Sequence, residues 1–174
     1  MNFIQELGFS LKKVDTADNP RHFINDDVEV NLLTDKDNYE MFYTKVHTVC
    51  QNTIEEYEKL HTLFCKKRAS DKKQYILCYD LRGSDIPFDL DMLKSLANMK
   101  QSLSVEYEQS LICTIILVES EAIQMILNTL LTTMYRPVRP VRLIKTPSDA
   151  RNFIDVQIKE KNLKGGDACT YSEE

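Results

Sequence analysis

The chain has 174 residues, of which 43% are hydrophobic and 28% charged, a composition typical of one globular domain and not of a disordered chain. A formal net charge of −5 disfavours binding to nucleic acid or to an anionic membrane. No stretch approaches the roughly 18 apolar residues that a transmembrane helix needs, so we predict no membrane span.

The first part of the chain predicts a hairpin followed by a helix. In residues 1–27, an N-terminal extension, short apolar groups alternate with polar ones, and we expect a short helix or an edge hairpin there. Apolar runs at 28–33 and 39–43 predict two antiparallel strands at the edge of a sheet. From 44 to 67, apolar residues recur every three or four positions, which predicts an amphipathic helix.

From residue 73 onward, short apolar runs alternate with helical patterns. We predict strands at 74–81, 111–118 and 141–145, and helices at 90–103, 122–134 and 147–158. Thr146 is predicted to cap the last of these helices, with Pro147 as its first residue. Such alternation favours a parallel arrangement, because parallel neighbours need a long connection and a helix is the usual one. The sequence therefore predicts one α/β domain over 28–158, with a mixed, mostly parallel sheet of about four or five strands, an edge hairpin and about four helices. Residues 159–174 are expected to form a flexible polar tail.

The loop after the first central strand is the first candidate site, because ligands of open α/β sheets bind beyond the carboxyl ends of the strands. It carries Asp80, Arg82, Ser84 and Asp85. These residues fit a ligand or phosphorylation site, but they fit equally a polar turn with an internal pair between Asp80 and Arg82. We prefer the polar turn, since turns use such residues whatever the function.

A second candidate is the arginine-rich segment before the last strand. Arg136, Arg139 and Arg142 stand three residues apart, a spacing that alternates faces in an extended chain. Arginine forks suit phosphate or carboxylate partners. We favour a solvated loop with internal acidic partners over a compact anion site.

Neither a metal site, a cofactor nor a catalytic residue is predicted. His61 and Cys65 stand four apart on the predicted helix, but two ligands do not make a zinc site, and we expect His61 to be partly exposed. No glycine-rich phosphate-binding motif occurs. Cys78 and Cys113 lie in apolar runs and are expected to be buried, without a nucleophilic role.

The predicted helix at 122–134 has an apolar surface broader than a narrow stripe. It either packs beneath the sheet, which we prefer, or leaves part of one face for a partner, and a homodimer is then the first alternative.

The five cysteines are odd in number and widely spaced, which suits free thiols in a reducing compartment. Together with the absence of a signal-peptide pattern, this predicts a soluble protein inside the cell, in the cytoplasm or the nucleus.

The order of these elements resembles two known families. The hairpin, the helix and the stretches YILCYDLRGSDIPFDLDMLKSL, LICTIILVES and YRPVRPVRLIKTPSDARNFI look like the STAS domain in its SpoIIAA-like form. They are similar also to the lipid-binding CRAL-TRIO domain. The resemblance covers roughly residues 28–158 and rests on element order and apolar pattern.

The STAS resemblance implies a non-enzymatic, regulatory or scaffolding domain that binds a protein partner. STAS-type switches are phosphorylated on a serine at the start of the helix that follows the Asp-ended strand. Here the corresponding stretch, 86–90, contains no serine, and Ser84 lies earlier in the loop. Asp89 fits an ordinary helix N-cap there better than a fixed negative charge that replaces the phosphate.

The CRAL-TRIO resemblance implies a lipid or small-molecule binding domain, which is our alternative to the interaction domain. It predicts a closed apolar cavity of several hundred Å³ between the sheet and the helices. An enzyme would instead need polar groups of the 80–89 loop to converge with Arg136 or Arg139, and we do not favour it.

Overall fold

A computed structural model describes residues 3–11, 23–24, 26–86 and 90–166. Seven strands are found in this part of the chain: β1 Phe9–Leu11, β2 Phe23–Ile24, β3 Val28–Asp35, β4 Glu40–Val46, β5 Tyr75–Asp80, β6 Leu111–Leu117 and β7 Val141–Ile144. The helices are α1 Phe3–Glu6, α2 Gln51–Ser70, α3 Leu90–Ser102, α4 Ser104–Ser110, α5 Glu121–Thr129, a π-helix at Leu130–Met134, and α6 Pro147–Gly166.

The strands form one mixed sheet, which confirms the predicted α/β class. Its order is β1-β3-β4-β5-β6-β7, and the two-residue β2 also pairs with β3, beside β1. The strands β4, β5, β6 and β7 are mutually parallel, whereas β3 is antiparallel to β1, β2 and β4. The predicted hairpin is present as β3 and β4. It does not form the edge of the sheet, however, because β1 and β2 lie beyond it, and the sheet therefore has more strands than the predicted four or five.

Helices cover both faces of the sheet. On one face, α1 and α6 pack over a core that includes Ile76, Cys78 and Ile115. On the other face, α2, α3 and α4 pack over a core that includes Tyr75 and Leu77. Successive residues of β5 thus point to opposite layers, as the geometry of a strand requires. We call these layers the α1/α6 face and the α2/α3 face.

Two predicted helix boundaries were wrong, and one helix was not predicted. The helix expected at 44–67 begins only at Gln51, because Thr44 and Val46 belong to β4 and are buried there as strand residues. A separate helix, α4, follows α3 and was not predicted. The last helix continues to Gly166, into the segment expected to be a flexible tail. Residues 167–174 of that tail lie outside the described part.

The N-terminal segment contributes to the sheet and the core. Phe3, Ile4, Leu7 and Phe9 are all buried on the α1/α6 face. Arg151 of α6 donates a hydrogen bond to the carbonyl oxygen of Leu7 at 3.3 Å. Residues 3–11 therefore pack as part of the same folded unit as the rest of the sheet.

Two helix starts follow the chemistry of their sequences. Thr146 Oγ1 accepts a hydrogen bond from the backbone N–H of Asp149 at 3.2 Å and donates one to the Asp149 carboxylate at 2.7 Å, so it caps α6 as predicted. Pro147 is the first helical residue, where its missing N–H costs no hydrogen bond. Ser120 Oγ likewise accepts the N–H of Ile123 at 3.4 Å and caps α5.

Candidate functional site

Asp80, at the carboxyl end of β5, is held by three surrounding side chains. Arg82 donates from Nε to Oδ1 at 2.9 Å and from Nη2 to Oδ2 at 2.7 Å, a bidentate pair. Tyr43 donates its hydroxyl to Oδ2 at 2.8 Å, and the Lys45 ammonium lies 3.3 Å from Oδ1. Both oxygens of the buried carboxylate thus have internal partners.

The partners of Asp80 determine the pKa of its carboxyl group. Burial by itself would raise the pKa of Asp80, but the hydrogen bonds from Arg82 and Tyr43 and the charge of Lys45 outweigh it, and the pKa is lowered to about 2. The Arg82 guanidinium in turn lies 4.4 Å from the ring centroid of Phe3. The arrangement matches the internal pair that we preferred for this loop.

The other predicted loop residues do not gather around Asp80. Ser84 donates its hydroxyl to the carbonyl oxygen of Val46, and the N–H of Asp85 donates to the carbonyl oxygen of His47 at 2.8 Å. Both contacts fasten the loop to the end of β4. Asp89, the last predicted residue of this group, lies outside the described residues.

Arg136 and Arg139, two of the three arginines of the second candidate site, lie away from that loop. Arg139 precedes β7 and donates hydrogen bonds to the backbone carbonyl oxygens of Tyr107, at 3.4 Å, and Glu108. Arg136 is exposed. Since β5 and β7 both run parallel to β6, Arg139 lies at the opposite end of the strands from Asp80. The convergence that an enzymatic interpretation required is not found between these residues.

A cavity of about 180 Å³ lies on the α2/α3 face, between the sheet and the helices. Its wall consists mainly of aliphatic side chains from several strands and helices, among them Ile54, Leu77, Leu93, Leu96, Ile116 and Leu127. The π-helix, a form that often occurs at functional sites, adds Leu130 and Leu131. The cavity has the position expected of the binding-domain alternative but is smaller than the several hundred Å³ predicted.

A chain of polar side chains borders this cavity. The Tyr57 hydroxyl donates to the Tyr79 hydroxyl at 3.1 Å and lies 3.2 Å from His61 Nδ1. The Tyr107 hydroxyl lies 2.7 Å from His61 Nε2. His61 thus joins the hydroxyl groups of Tyr57 and Tyr107 through its two ring nitrogens.

His61 is wholly buried, and the predicted partial exposure was wrong. It occupies the face of α2 that packs on the sheet, where its ring stacks on Tyr57 with a centroid distance of 5.4 Å. Burial, together with the nearby charge of Lys100, lowers its pKa well below the usual 6.5. The ring is therefore neutral at physiological pH. Cys65 Sγ lies 3.4 Å from Nε2, and burial raises the thiol pKa to about 11, so the sulfur is no nucleophile.

Lys100, on α3, is the charged group at the centre of the cluster. Its Nζ is in hydrogen-bond contact with the Tyr79 hydroxyl and lies 3.3 Å from His61 Nε2. It also lies 4.5 Å from the centroid of the Tyr79 ring and 5.4 Å from that of Tyr107. Among the described residues that line the cavity there is no aspartate or glutamate, whereas Lys100 and Arg139 are both cationic. Burial lowers the pKa of Lys100 to about 7.

Sequence reasoning missed Lys100, although its spacing carried a signal. The apolar stripe of the predicted helix at 90–103 included Leu93, Leu96 and Ala97. Lys100 stands seven, four and three positions after them, so the same helical period places it on the buried face. A lysine within an apolar stripe is the pattern that indicates a partly buried amine.

No three histidine, cysteine or carboxylate side chains of the described segments come together as metal ligands would. None of the helices in those segments combines the length and the apolar character of a membrane-spanning helix.

Comparisons with protein-family models, with curated protein sequences and with solved structures found no match. The resemblance to the STAS and CRAL-TRIO families therefore stays a prediction.

Proposed function

We propose that this protein binds a small, mainly apolar molecule that carries a carboxylate group. One observation carries the proposal: an aliphatic cavity with two cationic side chains on its wall and no carboxylate among the described residues that line it. Ligand sites are commonly apolar clefts with a few converging polar groups. The proposal is the binding-domain alternative of the sequence analysis, with the ligand's chemistry now specified.

The volume limits the size of the ligand. An engineered protein cavity of about 150 Å³ that is lined by aliphatic and aromatic side chains stays dry and binds benzene. The cavity here, about 180 Å³, suits a single aromatic ring or a short aliphatic chain with one polar group. A long-chain lipid of the CRAL-TRIO type would not fit without movement of α3 or α5.

The charges favour an acidic group on the ligand. Lys100 keeps a cationic form at the price of desolvation, and none of the described residues pairs it with a carboxylate. A ligand carboxylate beside Nζ would supply the missing opposite charge and raise the pKa of the amine. Arg139 also lines the cavity, and its guanidinium donates hydrogen bonds to the backbone carbonyl oxygens of Tyr107 and Glu108.

Titration calorimetry with three probes of equal ring size tests the proposal: benzoate, benzyl alcohol and benzylamine. We expect benzoate to bind most tightly, and its affinity to fall as the pH rises through about 7, where Lys100 loses its proton. Lys100→Met should weaken benzoate binding by about tenfold or more and leave benzyl alcohol nearly unaffected. Lys161→Met is the matched control, because Lys161 is also partly buried, with its pKa lowered to about 8, but lies outside the cavity wall.

A cavity-filling variant separates binding in the cavity from binding elsewhere. Ala97 is buried and lines the cavity, so Ala97→Leu places extra methyl groups inside it. Binding of all the probes should then weaken together. Equal benzoate affinity in the wild type and Ala97→Leu would contradict the proposal.

The STAS-like interaction function stays a prediction, as does self-association through the helix at 122–134. In that helix Leu127 is buried, whereas Met125 is 71% exposed. Sedimentation of the purified chain and a pull-down from its native cell test the two possibilities.

A further inference from the structure

We propose that Lys100 also acts as a nucleophile and forms an imine with a small apolar aldehyde bound in the cavity. The inference rests on the proposed function, because the apolar part of the aldehyde would occupy the same cavity. It goes beyond that function, because it replaces reversible ion pairing by a covalent bond at the same nitrogen.

The position of the amine is the first argument. Lys100 lines the aliphatic cavity, and its Nζ lies 3.3 Å from Nε2 of a neutral histidine and contacts the Tyr79 hydroxyl. No carboxylate among the described residues pairs with it to hold a proton on the nitrogen. Apolar surroundings without an acidic partner are the environment that activates lysines for imine chemistry.

The protonation state is the second argument. With a pKa of about 7, near half of the Lys100 side chains are neutral amines at neutral pH. An ordinary lysine, with a pKa of about 10.4, has a free-amine fraction roughly a thousandfold smaller under the same conditions. Lys100 should therefore react well before the exposed lysines.

The reaction needs no oxidant, reductant or metal. The nitrogen lone pair of Lys100 attacks the carbonyl carbon, and a proton moves from nitrogen to the carbonyl oxygen to give a carbinolamine. The nitrogen then loses its second proton to the hydroxyl oxygen, the carbon–oxygen bond breaks, the oxygen leaves as water, and a carbon–nitrogen double bond forms. Tyr79 and His61 contact the nitrogen at which protons are lost. We assign them positioning roles, with their hydrogen bonds directing the lone pair of the amine.

Other nucleophiles near the cavity are poor competitors. Cys65 is completely buried, and its thiol pKa of about 11 keeps it protonated. Lys161 donates to the carbonyl oxygen of Leu111 at 2.9 Å and does not line the cavity. A selective adduct at Lys100 is thus a specific outcome.

The test is reductive trapping of the full-length chain with benzaldehyde and cyanoborohydride, followed by intact-mass measurement and peptide mapping. We expect one benzyl group per chain, on Lys100, formed at a rate that rises as the pH is raised through about 7 and then levels off. Lys161→Met should react like the wild type, and Lys100→Met should lose the adduct. Saturating benzoate should slow the wild-type reaction about tenfold or more, a readout that does not depend on the folding of a variant.

The outcomes separate the two proposals. An adduct spread over the exposed lysines, or none at all while benzoate still binds, overturns the imine and leaves the binding function standing. If neither benzoate nor benzyl alcohol binds and no selective adduct forms, both proposals fail. A Tyr79→Phe variant that shifts the pH midpoint of trapping would support the positioning role, and an unchanged midpoint would remove it.

Discussion

Asp80, at the end of β5, and Lys100, on α3, are both ionisable side chains inside the fold. They differ in whether a described residue of opposite charge lies beside them. Asp80 has Arg82, Lys45 and Tyr43 as partners, and its carboxylate is stabilised in the folded state. Among the described residues, the side chains within hydrogen-bond distance of Lys100 are neutral, namely those of Tyr79 and His61. The ionised Asp80 side chain therefore stabilises the fold. Lys100 lowers the stability of the fold when it is protonated, and perturbed groups of this kind often occur at functional sites.

Replacement of Asp80 by asparagine should remove a pH-dependent part of the stability. The folded-state pKa of about 2 is below the usual 3.8, so the contribution is present above about pH 4 and is lost as the pH falls toward 2. We expect Asp80→Asn to lower the free energy of unfolding by about 2 kcal/mol at pH 7, since one pKa unit corresponds to about 1.4 kcal/mol. Urea unfolding at pH 7 and near pH 2 measures it, and an equal loss at both would contradict this account.

Replacement of Lys100 by methionine should have the opposite sign. The folded-state pKa of about 7 lies below the usual 10.5, so the unfolded chain binds more protons between these values and wild-type stability rises across that window. At pH 7 and below, Lys100→Met should be the more stable protein, by on the order of 3 kcal/mol. The difference should shrink toward pH 10. Parallel urea titrations of both proteins provide the measurement, and a gap that does not change with pH would refute the assignment.

The candidate site was harder to predict than the loop around Asp80. The Asp80–Arg82 pair is local, so two positions in sequence suffice to suggest it. Lys100, His61 and Tyr107 come from three different helices, and their contacts depend on how α2, α3 and α4 pack. Without that packing, a histidine on an amphipathic helix gives no sign of whether it faces water or a tyrosine.

Helices and strands could be predicted where one periodicity holds over the whole element. The apolar runs of β5 and β6 are of this kind, and their positions agree with the structure to within one or two residues. Thr44 and Val46 were misassigned because their spacing to Val49 and Cys50 also fits a helix. The seven-residue α4 is too short to show a period, and its packing against α2 is what orders it.

The cap of α6 gives a prediction at the level of one element. Thr146→Ala removes the acceptor for the Asp149 N–H and should cost about 1 kcal/mol of stability. Thr146→Ser, which keeps the oxygen, should be nearly neutral. Thr132→Ala is the matched control, because the hydroxyl of this exposed threonine bonds to the carbonyl oxygen of Asn128, a contact that does not support a helix start. Thermal unfolding of the three variants decides the matter, and equal losses for Thr146→Ala and Thr132→Ala would count against the cap.

At the scale of the whole molecule, the two faces of the sheet are unequal. The α1/α6 face has a continuous apolar core into which the N-terminal segment is packed, whereas the α2/α3 face contains the cavity. Sequence patterns could not reveal this, since both faces are formed by the same alternating strands. The extent of the N-terminal contribution also escaped prediction, because its strands become recognisable only when paired with β3.

A leucine-to-alanine comparison tests whether the N-terminal segment belongs to the cooperative unit. Leu7 is 1% exposed and Leu163 is 73% exposed. Leu7→Ala should cost about 2–5 kcal/mol, the usual range for a buried leucine, and Leu163→Ala less than about 0.5 kcal/mol. Denaturant unfolding curves with a single transition and these shifts are expected. A small effect of Leu7→Ala would mean that residues 3–11 unfold separately.

The empty space beneath α3 and α5 should also make one face of the protein more sensitive to pressure than the other. Unfolding lets water fill internal voids, so the unfolded chain takes up less volume, and hydrostatic pressure favours it. The α2/α3 face should therefore yield first under pressure, seen as early loss of the amide signals of α3 and α5 in high-pressure NMR. A ligand that occupies the space should raise the pressure at which half of the protein is unfolded. Ala97→Leu should raise it in the same way without any ligand.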